Sequence, residues 1–346
     1  MSAHTVIVRD RAGEEARFSV AAGERVLHAG LMAGAGLPHE CATGTCGSCR
    51  ARIEDGAVER LWPEAPGAAR FRSDNDVLMC QVGASADLTL SLRGKLTCPP
   101  QPPVCARAGI LSASARLTSE VGLFDVTLDA PLPYAAGQFA LVEFDGIAGP
   151  RAYSMISYAP DEPVLKFLVR HGGGPASAFL FGDSALPASV SVMGPFGAAV
   201  FDPSEARPFV AIAGGSGIAG ILSILDRAEA AGHFARHPCA VYFGLRAPDT
   251  AYQLDTLAEL VARADGKLSV TIAYSDAEPG EDVARYPALE FAQGFVHEVA
   301  GADHDAHPQD AIRYVAGPPK MVDAAMRLLV MEKKVSPTDI RYDKFG

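Results

Sequence analysis

Apolar and polar positions divide the chain into three regimes. In the first hundred residues the runs are short and alternating. Residues 4–8 and 16–20 alternate about a turn at Ala12-Gly13 and predict a strand pair. Residues 25–34, RVLHAGLMAG, carry apolar side chains at helical spacing and predict a helix on that sheet, with His28 a helix-face residue rather than a ligand. Residues 51–53, 77–79 and 88–92 are further short strands. From 106 to about 204 the pattern is β-runs separated by turn residues, at 124–128, 139–144, 152–157, 165–170 and 189–193, as in a small barrel, with one short helix at 176–181. After Arg207 the period changes. Strands at 209–213, 239–245, 268–274, 312–315 and 340–342 alternate with helices at 218–231, 254–264 and 320–333, which predicts a parallel, doubly wound α/β sheet.

Between the first two regimes lies TCPPQPPVC, residues 97–105, whose four prolines in nine residues make a stiff extended connector. The expected domains are therefore 1–98, 105–205 and 206–346, with 99–104 as linker. The chain has 346 residues and 49% hydrophobic content, ample for three cores. A net charge of −11 and the lack of any Lys/Arg cluster argue against a nucleic-acid partner. An acidic surface can steer a basic patch on a protein partner. Neither an apolar signal-type core near the N-terminus nor a run of ~18 apolar residues occurs, so the expectation is a cytoplasmic monomer with no membrane contact.

Seven cysteines sharpen this picture. Cys41, Cys46 and Cys49 stand in HECATGTCGSCR as C-x4-C-x2-C, and Cys80 follows in VLMCQ. That is the plant-type ligand spacing for a [2Fe-2S] cluster. Gly44 and Gly47 lie where the loop must turn sharply around the cluster, and small neighbours let backbone N–H groups reach the sulfurs. A zinc site would instead pair two C-x2-C units. Cys98, Cys105 and Cys239 read as incidental thiols of a reducing compartment, in preference to a zinc or disulfide pair at 98 and 105.

Other motifs are weaker singly. Gly214-Gly215-Ser216-Gly217 follows an apolar strand and opens a helix, the place where backbone N–H groups meet a phosphate; the alternative is a glycine turn serving packing alone. Arg151-Ala152-Tyr153-Ser154 offers a guanidinium fork, a ring and a hydroxyl, but alone is only four strand residues. Gly172-Gly173-Gly174 with Ser177 is either a second phosphate loop or a flexible turn. Trp62, the single tryptophan, anchors the loop ERLWPEAPG or touches a partner. Asp303, His304, Asp305 and His307 read as a solvated loop rather than a metal site. In GLRAPDTAY, Asp249 would accept from ribose hydroxyls and repel a 2′-phosphate, whereas Arg246 points the other way.

In this order the pieces resemble the ferredoxin–FAD–NAD reductases that feed bacterial oxygenases, members of the ferredoxin–NADP reductase superfamily. The resemblance rests on CATGTCGSC with Cys80, RAYS at 151–154, GPFG at 194–197, GGSGIAG at 214–220, AGPPKM at 316–321 and the final RYDKFG. LWPEAPG, GFVHEV and YDKFG make it most similar to the reductase components of toluene and phenol monooxygenases. It implies a β-grasp ferredoxin domain, a six-stranded antiparallel barrel holding FAD, and an NAD(H) domain. It also implies electron transfer from NADH through FAD and the cluster to an oxygenase or ferredoxin component. Arg151, Tyr153 and Ser154 would contact the flavin, Tyr153 and Ser154 where the hydride arrives. Gly172, Gly173 and Ser177 would meet its pyrophosphate, Gly214–Gly217 the dinucleotide, and Gly317 and Pro318 the nicotinamide. Phe345 would cover the flavin face, against the plainer reading that it caps the dinucleotide-domain core. Two departures stand out. Gly220 replaces the usual proline, which should loosen the helix start, and Ala316 replaces a frequent cysteine beside the nicotinamide. The competing readings are a reductase serving a Rieske dioxygenase or a separate ferredoxin, and a redox-sensing regulator. A regulator would need neither nucleotide motif.

Overall fold

The computed structural model describes residues 3–182 and 186–345, so Gly346 of the final RYDKFG lies outside the described residues. Three larger sheets match the three regimes. The first domain holds β1 (Ala3–Arg9), β2 (Glu15–Ala21), α1 (Val26–Met32), β3 (Arg50–Asp55), β4 (Val58–Arg60), β5 (Asp76–Leu78), β6 (Val82–Ala84) and β7 (Leu88–Leu92). Its strand order is β2-β1-β7-β3-β5, with β4 and β6 paired apart. β1 and β7 run parallel at the centre of otherwise antiparallel pairs, a β-grasp arrangement. Alternation sends Val6 and Val8 of β1 inward against Leu27 and Leu31 of α1.

The second domain holds β8 (Cys105–Arg116), β9 (Val121–Leu128), β10 (Phe139–Phe144), β11 (Arg151–Ser154), β12 (Val164–Arg170), α2 (Pro175–Phe181) and β13 (Ala188–Phe196). The order is β11-β10-β13-β8-β9-β12, antiparallel throughout. A bridge from Met155 to Phe167 joins the two outer strands and nearly closes the barrel. Inside lie Phe124, Val126, Val142, Phe167 and Val192.

The third domain holds β14 (Phe209–Gly214), α3 (Ile218–Ala230), β15 (Cys239–Leu245), α4 (Leu254–Arg263), β16 (Leu268–Tyr274), α5 (Asp282–Arg285), β17 (Glu290–Gln293), α6 (Val296–Ala302), β18 (Ile312–Gly317), α7 (Pro319–Arg327) and β19 (Ile340–Lys344). All six strands are parallel, in the order β17-β16-β15-β14-β18-β19. Successive residues of β14 serve opposite faces. Phe209 and Ala211 join Leu225 of α3 and Leu257 of α4, while Val210 and Ile212 join Ala300 of α6 and Val322 of α7. The order reverses between β14 and β18, so the crevice above their C-terminal ends is the expected ligand position.

Residues 301–308 are a solvated segment only in part: Asp303 and Asp305 are exposed, but not all of it faces solvent. His304 is buried, and the His307 Nε2 lies 2.7 Å from the Tyr242 hydroxyl, which itself donates to Asp303. The segment is the end of α6 followed by a tight turn at 304–306. No described helix is long and apolar enough to cross a membrane. Cys98 and Cys105 are free thiols.

The domains share more than a linker. The core of the first sheet continues through Val104 of the connector to Phe139, Leu141 and Phe196 of the barrel. The Phe196 ring meets those of His39 and His28 at 5.8 and 6.2 Å. Tyr342 of β19 donates to Glu40 at 2.9 Å and so ties in the third domain.

His233, between α3 and β15, is 2% exposed among Phe201 and Phe209. Burial, and then His237 beside it, push its pKa from 6.5 down to about 4. Between those values the unfolded chain holds a proton that the fold excludes. Its contribution to stability is therefore complete above pH 6.5 and lost as pH falls toward 4. In His233→Phe that loss disappears. Thermal melts should show the variant gaining on wild type as pH drops from about 7 to about 5, a window set by histidine titration. An equal shift at both pH values would assign the effect to packing alone.

Candidate redox site at the junction of three domains

The cysteine loop joins α1 to β3. It is shaped by Ala42, Gly44 and Gly47, all at positive φ (54°, 99° and 77°). Gly67 donates its N–H to Gly44 at 2.9 Å, and a Cβ on Gly67 would lie 2.8 Å from the Gly44 oxygen, so the turn is backbone packed on backbone. His28 donates from Nε2 to the Ala42 carbonyl at 3.0 Å, and burial holds its pKa near 4, so it stays a neutral strut.

The four thiols fall into two pairs. The Cys46 N–H donates to the Cys41 sulfur, and the Ser48 N–H to the Cys46 sulfur, each at 3.4 Å. The Cys49 and Cys80 sulfurs lie 3.2 Å apart. Hydrogen bonding to Cys49, then burial, hold the Cys80 thiol well above its ordinary range. The Cys41–Cys46 pair gives up one proton readily and retains the second. Four such thiolates coexist only with positive charge between them, which two irons supply. Two pairs of sulfurs suit a binuclear cluster with two thiolates per iron.

Beside this loop opens a cleft of about 640 Å³ lined from all three domains. Cys41, Thr43, Thr45 and Gln81 form one wall. Arg151, Ala152, Tyr153 and Ser154 of β11 form another, since β11 is the outer strand paired to β10 and therefore borders the open side of the barrel. Ser216 and Ala219 of the first strand–helix turn and Tyr342 to Phe345 close the third side. Burial pushes the Tyr153 hydroxyl up to about 12, so its ring stays neutral. The Arg151 Nη1 is held by the carbonyls of Ala148, Gly149 and Pro150. The Phe345 N–H donates to the Gly317 carbonyl at 3.3 Å, and its ring both lines the cleft and packs against the dinucleotide-domain core.

The remaining nucleotide candidates do not line this cleft. Gly172 and Gly173, the latter at φ 73°, follow the cleft-lining end of β12. Ser177 turns its hydroxyl back to the Gly174 carbonyl at 2.9 Å. Gly214 and Gly317 end β14 and β18, and Gly215, Gly217 and Pro318 follow them, where the sheet order reverses. A Cβ on Gly217 would be driven into the Ala316 carbonyl, and one on Gly214 would meet the Met321 Cε at 2.9 Å. These glycines therefore let the two loops touch. Asp249 sits exposed in a tight turn after β15. Helix α3 runs unbroken through Gly220, where a Cβ would have ordinary 3.5 Å contact with the Gly137 carbonyl, so the expected loosening is not seen.

Arg25, Glu40, Trp62 at the rim and Asp343 also line the cleft, though the sequence singles out none of them as a cofactor residue. Burial, and then the charge of Glu40, push the Asp343 carboxyl up to about 7. Its only sequence signal was its place between Tyr342 and Phe345.

The cluster loop, barrel and switch-point crevice define an iron–sulfur flavoprotein that draws on a nicotinamide dinucleotide. Comparison with known proteins agrees. Residues 10–85 match the 2Fe-2S iron-sulfur cluster binding domain family and residues 211–327 the oxidoreductase NAD-binding domain family. The ferredoxin–NAD(+) reductase component of the alkene monooxygenase system of Xanthobacter autotrophicus is 35% identical over 95% of this chain and 97% of its own. The phenol 2-monooxygenase reductase component of a Pseudomonas species is 29% identical over 93% and 90%. The solved ferredoxin reductase in carbazole 1,9a-dioxygenase superposes with a TM-score of 0.82 at 28% identity, covering 100% of both chains. The chain belongs to the ferredoxin–NAD(P)+ reductase components of oxygenase systems. It is an oxidoreductase, and its cofactors are a [2Fe-2S] cluster, FAD and NAD(H).

Proposed function

We propose that the chain is the NADH-dependent reductase of a multicomponent hydrocarbon monooxygenase. The observation that carries this reading is that one cleft touches Cys41, the Arg151–Ser154 strand, and both Ser216 and Phe345. NADH supplies a hydride, and the flavin and cluster together convert that electron pair into single electrons. The protein's part is placement. Tyr153 and Ser154 present a ring and a hydroxyl to the isoalloxazine, and Arg151 holds phosphate. The α2 loop at Gly172, Gly173 and Ser177 and the turn Gly214–Gly217 offer N–H groups to the two dinucleotides. Gly317 and Pro318 border the nicotinamide. Cys41, Cys46, Cys49 and Cys80 hold iron, in a ferredoxin unit of residues 1–98 joined by 99–104 to flavin and nucleotide units at 105–205 and 206–346. The protein works as a cytoplasmic monomer.

Asp249, on the exposed turn after β15, selects NADH by accepting from ribose hydroxyls and repelling a 2′-phosphate. Anaerobic NADH should bleach the yellow-brown protein, with kcat/KM for NADH well above that for NADPH. A preference for NADPH would assign the choice to Arg246. A Rieske dioxygenase or a separate ferredoxin is the alternative acceptor, favoured by the likeness to the carbazole dioxygenase reductase. The protein that co-purifies with the chain decides between them.

Phe345 shields the flavin and moves aside for nicotinamide. Phe345→Ser should shift the flavin absorbance and change nicotinamide affinity with little change in Tm. A Tm lower by several degrees, with an unaltered spectrum, would make Phe345 a core residue only.

A further inference from the structure

The cleft has four cationic side chains in its lining. Arg170 pairs with Glu120 and Lys344 with Asp323. Arg25 and Arg151 pair with no carboxylate among the described residues. Arg25 stands immediately before α1 on the ferredoxin domain. Its Nε is buried with no hydrogen-bond partner. A Cβ on Gly149 would lie 3.3 Å from the Arg25 Nη2 and 3.9 Å from the Arg151 Nη1, so two guanidinium groups from two domains border one glycine.

Two like charges converging at a partly buried site, one with an orphaned donor, favour an anion between them. Resting on the FAD reading, we propose that Arg25 is a ligand of the FAD diphosphate, shared with Arg151. The diphosphate supplies the missing negative charge, and the guanidinium fork matches phosphate oxygens. The loop carbonyls at 148–150 are bonded by Arg151 and need nothing from Arg25. Arg25 also precedes by one helical turn His28, which holds the cluster loop at Ala42. Flavin binding thereby clamps the ferredoxin domain to the barrel across the proline connector.

The test uses the full-length, cluster-loaded protein after reversible removal of flavin, with FAD and riboflavin titrated by fluorescence quenching. Visible circular dichroism of the cluster verifies that each variant is folded. Arg25→Ala should weaken FAD about 10- to 100-fold, the loss of one charge-assisted hydrogen-bonded contact. Riboflavin, which lacks phosphate, should bind as it does to wild type, and Arg25→Lys should recover part of the FAD affinity. Unchanged FAD affinity in Arg25→Ala overturns the proposal. Equal weakening of FAD and riboflavin also overturns it and makes Arg25 a strut of the domain interface. Failure of the wild type itself to bind FAD would instead bring down the cofactor reading.

Discussion

Cys46→Ser abolishes electron delivery to cytochrome c or an oxygenase and leaves NADH-driven ferricyanide reduction in place. In the proposed site Cys46 would supply one of four sulfurs, and its sulfur accepts from the Ser48 N–H; a serine oxygen would neither match iron–sulfur bonding nor hold that N–H in the same position. The damage should stay near the loop because Val6, Val8 and Leu90 at the centre of the first sheet remain fully buried, and the core they begin continues into the barrel at Phe139, Leu141 and Phe196. Strand β11, the proposed flavin strand, lies in a different sheet, nearly closed by the Met155–Phe167 bridge. Because Cys41, Thr43 and Thr45 form one wall of the cleft, flavin affinity should fall modestly. Absorbance of the purified variant, with both acceptor assays, checks each part. A variant purified without flavin would show that the cluster loop is required to retain it, and the two halves would not be separable.

Gly217→Ala raises the KM for NADH at least about tenfold, equivalent to some 1.4 kcal/mol of lost binding. The new Cβ would meet the Ala316 carbonyl and approach the Gly317 Cα at 2.8 Å. Those neighbours are backbone, so the loops after β14 and β18 must separate, at a cost of about 1–3 kcal/mol. The crevice between those loops is the proposed dinucleotide site. Flavin absorbance should not change. Gly220→Ala is the matched control, because its Cβ would meet nothing closer than 3.5 Å and should leave the KM near wild type. Wild-type NADH kinetics in Gly217→Ala would show that close contact of the two loops is not needed for binding.

What the sequence revealed depended on how each element earns its place. Strands of the third sheet are buried on both faces and read as unbroken apolar runs, so β15 and β16 matched to the residue. Strand β8 escaped because CARAGILSASAR is mostly small or polar and exposes much of its length. β4 and β6 have three residues each, too few to show a period. β17 is an edge strand exposed at both ends. At the site, ligand spacing declared the cysteines. The contribution of Arg25 was hidden, because nothing local in AAGERVL says that the barrel will place Gly149 beside it. The solvated-loop reading of 301–308 holds for Asp303 and Asp305 but misses the tie of His307 to Tyr242, which is distant in sequence.

The apolar continuity from the first sheet to Phe139, Leu141 and Phe196 bears on protein engineering. The proline run invites a cut-and-paste chimera carrying another relative's ferredoxin unit. A graft made there would bring a foreign surface against Phe196, whose ring expects His28 and His39. Successful hybrids must carry those barrel side chains with the graft or redesign them, so the exchangeable unit extends past the prolines to include one face of the neighbouring barrel.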